Sequence, residues 1–237
     1  MWNLKMFIRH YSRCASVREI VVVWNKGVVP DPQTDFESAV PVRVRVESVN
    51  SLNNRFRVDP LIQTRAVLEL DDDIMMTCDD VERGFKAWRE VPQKLVGFYP
   101  RLVEGKLLEY RNERFSRSHA GYNMILTGAA FMNSKVAFPL YWAEENRKGR
   151  VIVDELFNCE DILMNFVLAN ETVGLSVEYI HPSWSVDTSK SSSAAIRRDT
   201  KVHYSKRTNC LLRFSQLYGK MTLKKVSFNH RTDGWDY

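Results

Sequence analysis

Val67-Leu68-Glu69-Leu70-Asp71-Asp72-Asp73-Ile74-Met75 is the stretch on which the reading of this chain turns. An apolar run of strand-forming residues stops at three consecutive carboxylates, and apolar residues resume at once. Ionised carboxylates beside a buried strand are costly to desolvate unless something pairs with them. A divalent cation is a suitable partner. Hard ions such as magnesium or manganese take oxygen ligands and often keep positions open for substrate phosphates. The stretch therefore reads as a strand whose end delivers acids to a metal-bridged diphosphate. Three acids by themselves read more readily as a solvated turn; the apolar residues on both sides, and the rest of the chain, shift the reading toward the metal.

Working outward toward the N-terminus, Asp59-Pro60 opens a helix-like segment through Ala66. Before it lies a polar turn, Asn50-Ser51-Leu52-Asn53-Asn54-Arg55, rich in amides and ending in a guanidinium. Val40 to Val46 alternates apolar residues with Arg43 and Arg45, the pattern of a half-exposed strand. Glu19 to Trp24 contains a continuous β-branched run, expected to be a strand buried on both faces of a parallel sheet. Met1 to Tyr11 fits an amphipathic helix without a cap.

Working outward in the other direction, Thr77-Cys78-Asp79-Asp80 resembles a capping box. Val81, Phe85 and Trp88 follow it at helical spacing, and Pro92 stops the helix. Leu95 to Tyr99 and Met124 to Phe131 read as strands, the second carrying Gly128-Ala129-Ala130, small residues that admit a close approach. Glu104 to Tyr122 is charged and unpatterned and reads as a flexible loop. Cys159-Glu160-Asp161 opens a helix, Val177 to Ile180 is a short strand, Thr188 to Asp199 is a Ser-rich basic loop, and Tyr204 to Tyr218 is a last helix. Strands alternating with helices predict one α/β domain over residues 1–237, of three-layer α/β/α form with a mixed, mainly parallel sheet.

Bulk composition narrows the function. With 237 residues, 44% hydrophobic and 27% charged, the chain can bury a sizeable core. The net charge of +5 permits a nucleic-acid partner, but Lys and Arg are scattered rather than massed into a groove. A phosphate-bearing small substrate accounts for the balance equally well, and no nucleic-acid partner is expected. No stretch approaches the ~20 apolar residues of a membrane span, so any membrane association is expected to lie in sequence outside this chain. The four cysteines, Cys14, Cys78, Cys159 and Cys210, lack the paired spacing of a zinc site, and from count alone they read as buried thiols. Asn170-Glu171-Thr172 is a glycosylation acceptor if the chain enters the secretory pathway.

Five ordered segments carry a family resemblance. They are Ile20-Val21-Val22-Val23-Trp24-Asn25, Leu68 to Asp73, Leu95-Val96-Gly97-Phe98, Asn158 to Phe166, and Arg207-Thr208-Asn209-Cys210. Together they resemble the exostosin-like glycosyltransferases of family 64, nucleotide-sugar enzymes of the GT-A fold, from about Trp2 to Leu217. Asn53-Asn54-Arg55-Phe56 and Asp233-Gly234-Trp235-Asp236 look most like the plant branch that glycosylates inositolphosphorylceramides. The resemblance implies a UDP-sugar donor, N-acetylglucosamine or a related hexosamine as the transferred sugar, Mn2+ as cofactor, and a glycan or glycolipid acceptor. It also implies retention of anomeric configuration and a location in the Golgi lumen or endoplasmic reticulum.

Residue by residue, Asp73 matches the direct metal ligand, and Asp71 and Asp72 match the residues facing the ribose and donor sugar. Asn25, Asn50, Asn54 and Arg55 match nucleotide-binding positions; amides and a guanidinium suit uracil edges and phosphates. Asp161 matches the carboxylate near the anomeric carbon, and Arg207 the arginine that neutralises the leaving diphosphate. Within this reading Cys159 and Cys210 are expected to form a disulfide tying the Asp161 turn to the Arg207 helix, with Cys14 and Cys78 left as thiols. The family's first strand is expected to precede Met1 and is absent, so weak donor binding is expected of this chain. A non-catalytic glycan- or partner-binding homologue is the alternative, and a two-metal nuclease ranks last, for want of further carboxylates around a second ion.

Overall fold

The computed structural model describes residues 2–105, 108–172, 176–188, 200–219 and 221–228. Helix α1 (Trp2–Tyr11) leads to strands β1 (Ile20–Trp24) and β2 (Val42–Val46), with the short α2 (Pro32–Asp35) between them. A 3-10 turn, Leu52–Phe56, precedes β3 (Ala66–Leu70), the acidic turn and β4 (Ile74–Met76). Then come α3 (Cys78–Glu90), β5 (Leu95–Gly97), β6 (Pro100–Arg101), α4 (Glu113–Ser118), β7 (Gly121–Tyr122), β8 (Met124–Ile125) and β9 (Ala129–Asn133). Three helices follow, α5 (Ser134–Trp142), α6 (Arg147–Leu156) and α7 (Glu160–Glu171). Strands β10 (Val177–Tyr179) and β11 (Ser185–Asp187), helix α8 (Thr200–Leu217) and β12 (Val226–Ser227) complete the described residues.

The central sheet has the order β10-β5-β9-β3, so the strand that ends in the acids sits at its edge. Only β10 and β5 run parallel; β9 runs antiparallel to both β5 and β3. Beyond this sheet β1 and β2 pair in parallel, while β4–β11, β6–β8 and β7–β12 are antiparallel. The expected mainly parallel sheet is thus corrected to a mixed α/β arrangement dominated by antiparallel pairs. An apolar run reports burial, and burial does not fix strand direction. The β1 run is likewise not buried on both faces: Val22 alone is fully enclosed, because β1 belongs to a two-stranded sheet.

Alternate residues of the central strands enter two different cores. Leu95, Ala130 and Met132 join Phe138, Tyr141, Leu163, Phe166 and Phe214 from α5, α7 and α8. Val96, Ala129 and Phe131 join Phe7, Tyr11, Val81 and Trp88 from α1 and α3. Helix α3 starts as expected, with the Thr77 side chain accepting from the Asp80 N–H at 3.1 Å. Asp80 itself is fully buried and accepts from the Ser183 and Trp184 N–H groups at 2.8 and 3.2 Å, which holds the chain leading into β11 against α3.

Four further sequence readings change. Residues 60–65 form a turn at 60–61 and irregular chain after it rather than a helix, with Asp59 accepting from the Leu61 N–H at 2.9 Å, the behaviour of Asp before a turn. The segment read as a flexible loop contains α4 and β7, whose apolar periodicity is too short to register. The strand expected over Met124 to Phe131 is two strands, β8 and β9, broken at Thr127-Gly128. Cys14 and Cys78 are not thiols: they form a disulfide across the start of α3, alongside the Cys159–Cys210 disulfide. The expected loop at 189–199 and the Asp233 to Asp236 segment lie outside the described residues.

Candidate active site

Arg55 is the hub around which the site is built. It sits on the Leu52–Phe56 turn, which the core anchors from several sides. Ser51 Oγ caps the turn at the Asn53 N–H, and Asn53 Nδ2 donates to Arg150 O at 3.1 Å and Asp154 Oδ1 at 2.9 Å. Tyr141 donates its hydroxyl to Asn53 Oδ1 at 2.5 Å, and Phe56 is wholly buried against the Tyr141 ring. From this fixed base the guanidinium donates to Asp71 Oδ1 at 2.7 Å, Glu69 Oε2 at 3.2 Å, Glu160 Oε1 at 3.3 Å and Thr127 O at 3.1 Å.

Glu69 and Asp71 reach the same guanidinium because they are two apart at the end of β3 and so share a face. The turn beyond is closed by the Asp71 N–H donating to Gly128 O at 2.8 Å and the Ile74 N–H to Asp71 O at 3.2 Å. Gly128 has a specific role there. A Cβ at this position would lie 2.5 Å from Asp71 Oδ2, so only glycine lets the carboxylate sit over the β8–β9 turn. Asp72 is exposed, and Asp73 is half-buried with its carbonyl accepting from the Thr188 N–H at 2.7 Å.

A second cluster adjoins the first through Glu160. Asp161 Oδ2 accepts from Arg207 Nη2 at 2.6 Å, its Oδ1 accepts from the Ile162 N–H at 2.8 Å, and the two side chains are only 8% and 7% exposed. Arg207 also reaches Asn158 Oδ1 at 3.3 Å and lies 4.3 Å above the Tyr110 ring. Two constraints place Asp161. The Cys159–Cys210 bond fastens the start of α7 to α8, with Cys159 at a left-handed φ of 79°. Asn165 in turn donates to Ile125 O at 2.8 Å and accepts from the Ile125 N–H at 3.0 Å, tying α7 to the strand before Gly128.

Charge is unevenly distributed across these groups. Burial alone would raise the Asp161 carboxyl, but the Arg207 guanidinium beside it outweighs burial and holds it below the usual range. Glu160 goes the other way: burial, then the neighbouring Asp161 charge, push it up to about 7 against the pull of Arg55. Burial also raises Glu69. One arginine thus faces three carboxylates, a surplus of negative charge that favours an incoming cation.

The donors around Asp71, Asp72 and Asp73 are all carboxylate oxygens, which fits an oxygen-seeking divalent ion of the magnesium or manganese kind. Among the described residues the acids do not converge three to a point. The described residues do bring His10, Cys14 and Cys78 together, but both sulfurs belong to the disulfide and His10 is bonded to Met76 O.

The profile of the family described as Glycosyl transferase family 64 domain matches residues 1–235. The chain belongs to glycosyl transferase family 64. It is a glycosyltransferase domain of the exostosin-like kind. It is 62% identical over 236 residues to glucosamine inositolphosphorylceramide transferase 1 of Oryza sativa subsp. japonica, covering 100% of this chain and 32% of that protein. It is 59% identical over 238 residues to glucosamine inositolphosphorylceramide transferase 1 of Arabidopsis thaliana, covering 100% and 31%. Human Exostosin-2 is 33% identical over 237 residues, at 98% and 32% coverage. The chain spans about a third of the length of these relatives.

Of the family 64 positions expected from sequence, Arg55 and Asp71 meet directly, as do Asp161 and Arg207, and Asn54 Nδ2 donates to Asn25 Oδ1 at 2.7 Å. Asn50 is exposed just ahead of the 3-10 turn. Sequence reasoning passed over Glu69, Glu160, Asn158 and Tyr110. The i, i+2 spacing of Glu69 and Asp71 carried a signal for the first. Glu160 offered none, since an acid opening a helix looks like ordinary stabilisation.

Proposed function

We propose that this domain transfers N-acetylglucosamine, or a related hexosamine, from a UDP-sugar to a glycosyl inositol phosphorylceramide or glycan acceptor, with retention of anomeric configuration. The observation that carries the reading is the buried Asp161–Arg207 pair, linked through Glu160 and Arg55 to the acids that end β3. The names of the plant relatives support the acceptor class. Helices packing on both faces of the central sheet support a GT-A-type three-layer fold.

In this reading Asn25 and Asn54, already bonded to each other, receive the nucleotide with Asn50, while Arg55 and Asp71 orient the ribose and diphosphate. Asp72 faces the donor sugar. Asp73 would hold Mn2+, which would supply Lewis-acid neutralisation of the departing diphosphate. Arg207 offers its guanidinium to the same developing charge. Asp161, kept ionised by Arg207, stabilises positive character at the anomeric carbon. Two disulfides suit an oxidising lumen, and we place the reaction in the Golgi or endoplasmic reticulum. No helix of the described residues is long and apolar enough to cross a membrane.

The test is Mn2+-dependent release of UDP from UDP-N-acetylglucosamine, followed with and without a glycosyl inositol phosphorylceramide acceptor. Calorimetry on Asp73→Ala accompanies it, and the variant should keep its fold while losing Mn2+-dependent UDP binding. A variant that binds UDP and Mn2+ like the parent removes the metal assignment; no acceptor-dependent release from any UDP-hexosamine removes the transferase reading.

A further inference from the structure

His10, Cys14 and Cys78 meet at one place, with a ring nitrogen of His10 and the two sulfurs all within 4.8 Å of one another. They come from the last turn of α1, the chain just after it and the first residue of α3. Two sulfurs and an imidazole are the donors that zinc selects, a softer set than the oxygens of Asp71 to Asp73. In the oxidised protein both sulfurs are spent on the disulfide. The Cα atoms of the two cysteines are 5.0 Å apart, and sulfurs on one zinc ion stand about 3.8 Å from each other, so side-chain rotation is enough to part them.

The surroundings prepare these groups for a metal. His10 Nε2 donates to Met76 O at 2.8 Å. A carbonyl can only accept, so the ring proton sits on Nε2 and the lone pair on Nδ1, which makes no hydrogen bond among the described residues. Histidines that ligate metals are held in this way, the other nitrogen donating to a carbonyl or carboxylate. Tyr11, next to it, donates its hydroxyl to Ile74 O and accepts from the Met76 N–H, both at 3.0 Å. Helix α1 is therefore fastened to β4 independently of the disulfide, and the imidazole stays in place when that bond opens. Cys78 is the first residue of the 13-residue α3, whose free N–H groups favour its thiolate, the form a metal takes. Of the two disulfides this is also the accessible one: Cys78 is half-buried, whereas Cys159 and Cys210 are wholly enclosed.

We propose that, once a dithiol reductant has opened the Cys14–Cys78 bond, the two thiolates and His10 Nδ1 bind one zinc ion, with water in the fourth position. The reductant's two thiols close to its own disulfide as Cys14 and Cys78 each take up a proton, and zinc then displaces those two protons. Zinc thereby ties α1 to α3 where the disulfide did. None of this depends on the transferase reading.

The probes are Co2+ and Zn2+ alone, added without oxygen to the whole protein after brief reduction by dithiothreitol and its removal. Thiol counting confirms how many cysteines are open. Cobalt on thiolate gives a charge-transfer absorption that cobalt on carboxylate does not, so the acids at Asp71 to Asp73 leave the signal untouched. The reduced parent should bind one Co2+ with that absorption, and one Zn2+ should displace it; the unreduced parent should show none. His10→Gln keeps an amide donor for Met76 O but offers no ring nitrogen, and should weaken binding at least about tenfold. The Cys159→Ser, Cys210→Ser variant should keep the absorption after reduction, and the Cys14→Ser, Cys78→Ser variant should lose it. No absorption in the reduced parent, whether or not its circular dichroism shows it folded, overturns the proposal. Equal affinity in His10→Gln does so too, as does an absorption that survives in the Cys14→Ser, Cys78→Ser variant.

Discussion

Arg207 Nη2 lies 2.6 Å from Asp161 Oδ2, and the two residues are held in that relation by a disulfide two residues before one and three after the other. The pair is therefore an attachment of α8 to α7 as well as a charged couple. Asp161→Asn should keep the shape of the contact while removing the anion proposed to stabilise the sugar carbon. Turnover is expected to fall by at least about a hundredfold with donor affinity near that of the parent, because the lost interaction belongs to the transition state. Arg207→Ala should do the same and also cost about 3–5 kcal/mol of stability, since it strands Asp161 as a buried unpaired charge. Steady-state kinetics with a calorimetric donor titration decides the matter. Unchanged turnover in either variant takes that residue out of the mechanism.

Gly128→Ala isolates the second half of the site. Its new methyl would press on Asp71 Oδ2 at 2.5 Å, so the carboxylate whose other oxygen accepts from Arg55 has to shift. Metal-dependent UDP binding should weaken about tenfold or more, on the scale of a lost charge-assisted hydrogen bond, with the melting temperature shifted by only a few degrees. A calorimetric titration indistinguishable from that of the parent would show that the Asp71 position is not set by Gly128.

Much of this site was legible in the sequence where chemistry and spacing coincide. The run from Val67 to Asp73 announced a strand ending in acids because its apolar and acidic halves are sharply divided. Thr77 announced α3 because a cap and a helical apolar period follow one another. What the sequence withheld are relations across distance: that Arg55 bridges Asp71 and Glu160, 105 residues away, and that Cys14 bonds Cys78. Neither leaves a local pattern. Strand direction was misjudged for the same reason, since β9 is as apolar as a parallel strand but enters between β5 and β3 from the opposite end.

The two disulfides should separate stability from activity. Their sequence separations are 64 and 51 residues, for which chain entropy gives about 4 kcal/mol each before any strain. Replacing both cysteines of either pair by serine should therefore lower the melting temperature by comparable amounts. Only the Cys159→Ser, Cys210→Ser variant should also lose turnover at temperatures where it remains folded, because its bond positions Asp161 against Arg207. Loss of turnover of equal size in the Cys14→Ser, Cys78→Ser variant would remove that distinction.

Glu160 should give the protein an unusual pH dependence. Its carboxyl, ordinarily at 4.5, is pushed up to about 7 by burial and by Asp161. Between those values the folded protein keeps a proton that the unfolded chain has given up, so unfolding releases it and stability falls as pH rises through the window. The loss is complete above about pH 7 and amounts to at most about 3 kcal/mol. Asp161 acts in the opposite sense and in another range. Its folded value is depressed, so its contribution is present above the ordinary Asp range and is lost as pH falls through the lowered value. Glu160→Gln keeps an oxygen for Arg55 but cannot ionise. It should melt close to the parent near pH 4, above it at pH 8, and with a flatter slope between the two, while the acid limb due to Asp161 remains. Melting temperatures measured from pH 3 to pH 9 for parent and variant test this directly. Parallel curves across pH 5 to 7 would show that Glu160 is ionised in the folded protein throughout, and that the surplus negative charge around Arg55 is balanced by some other group.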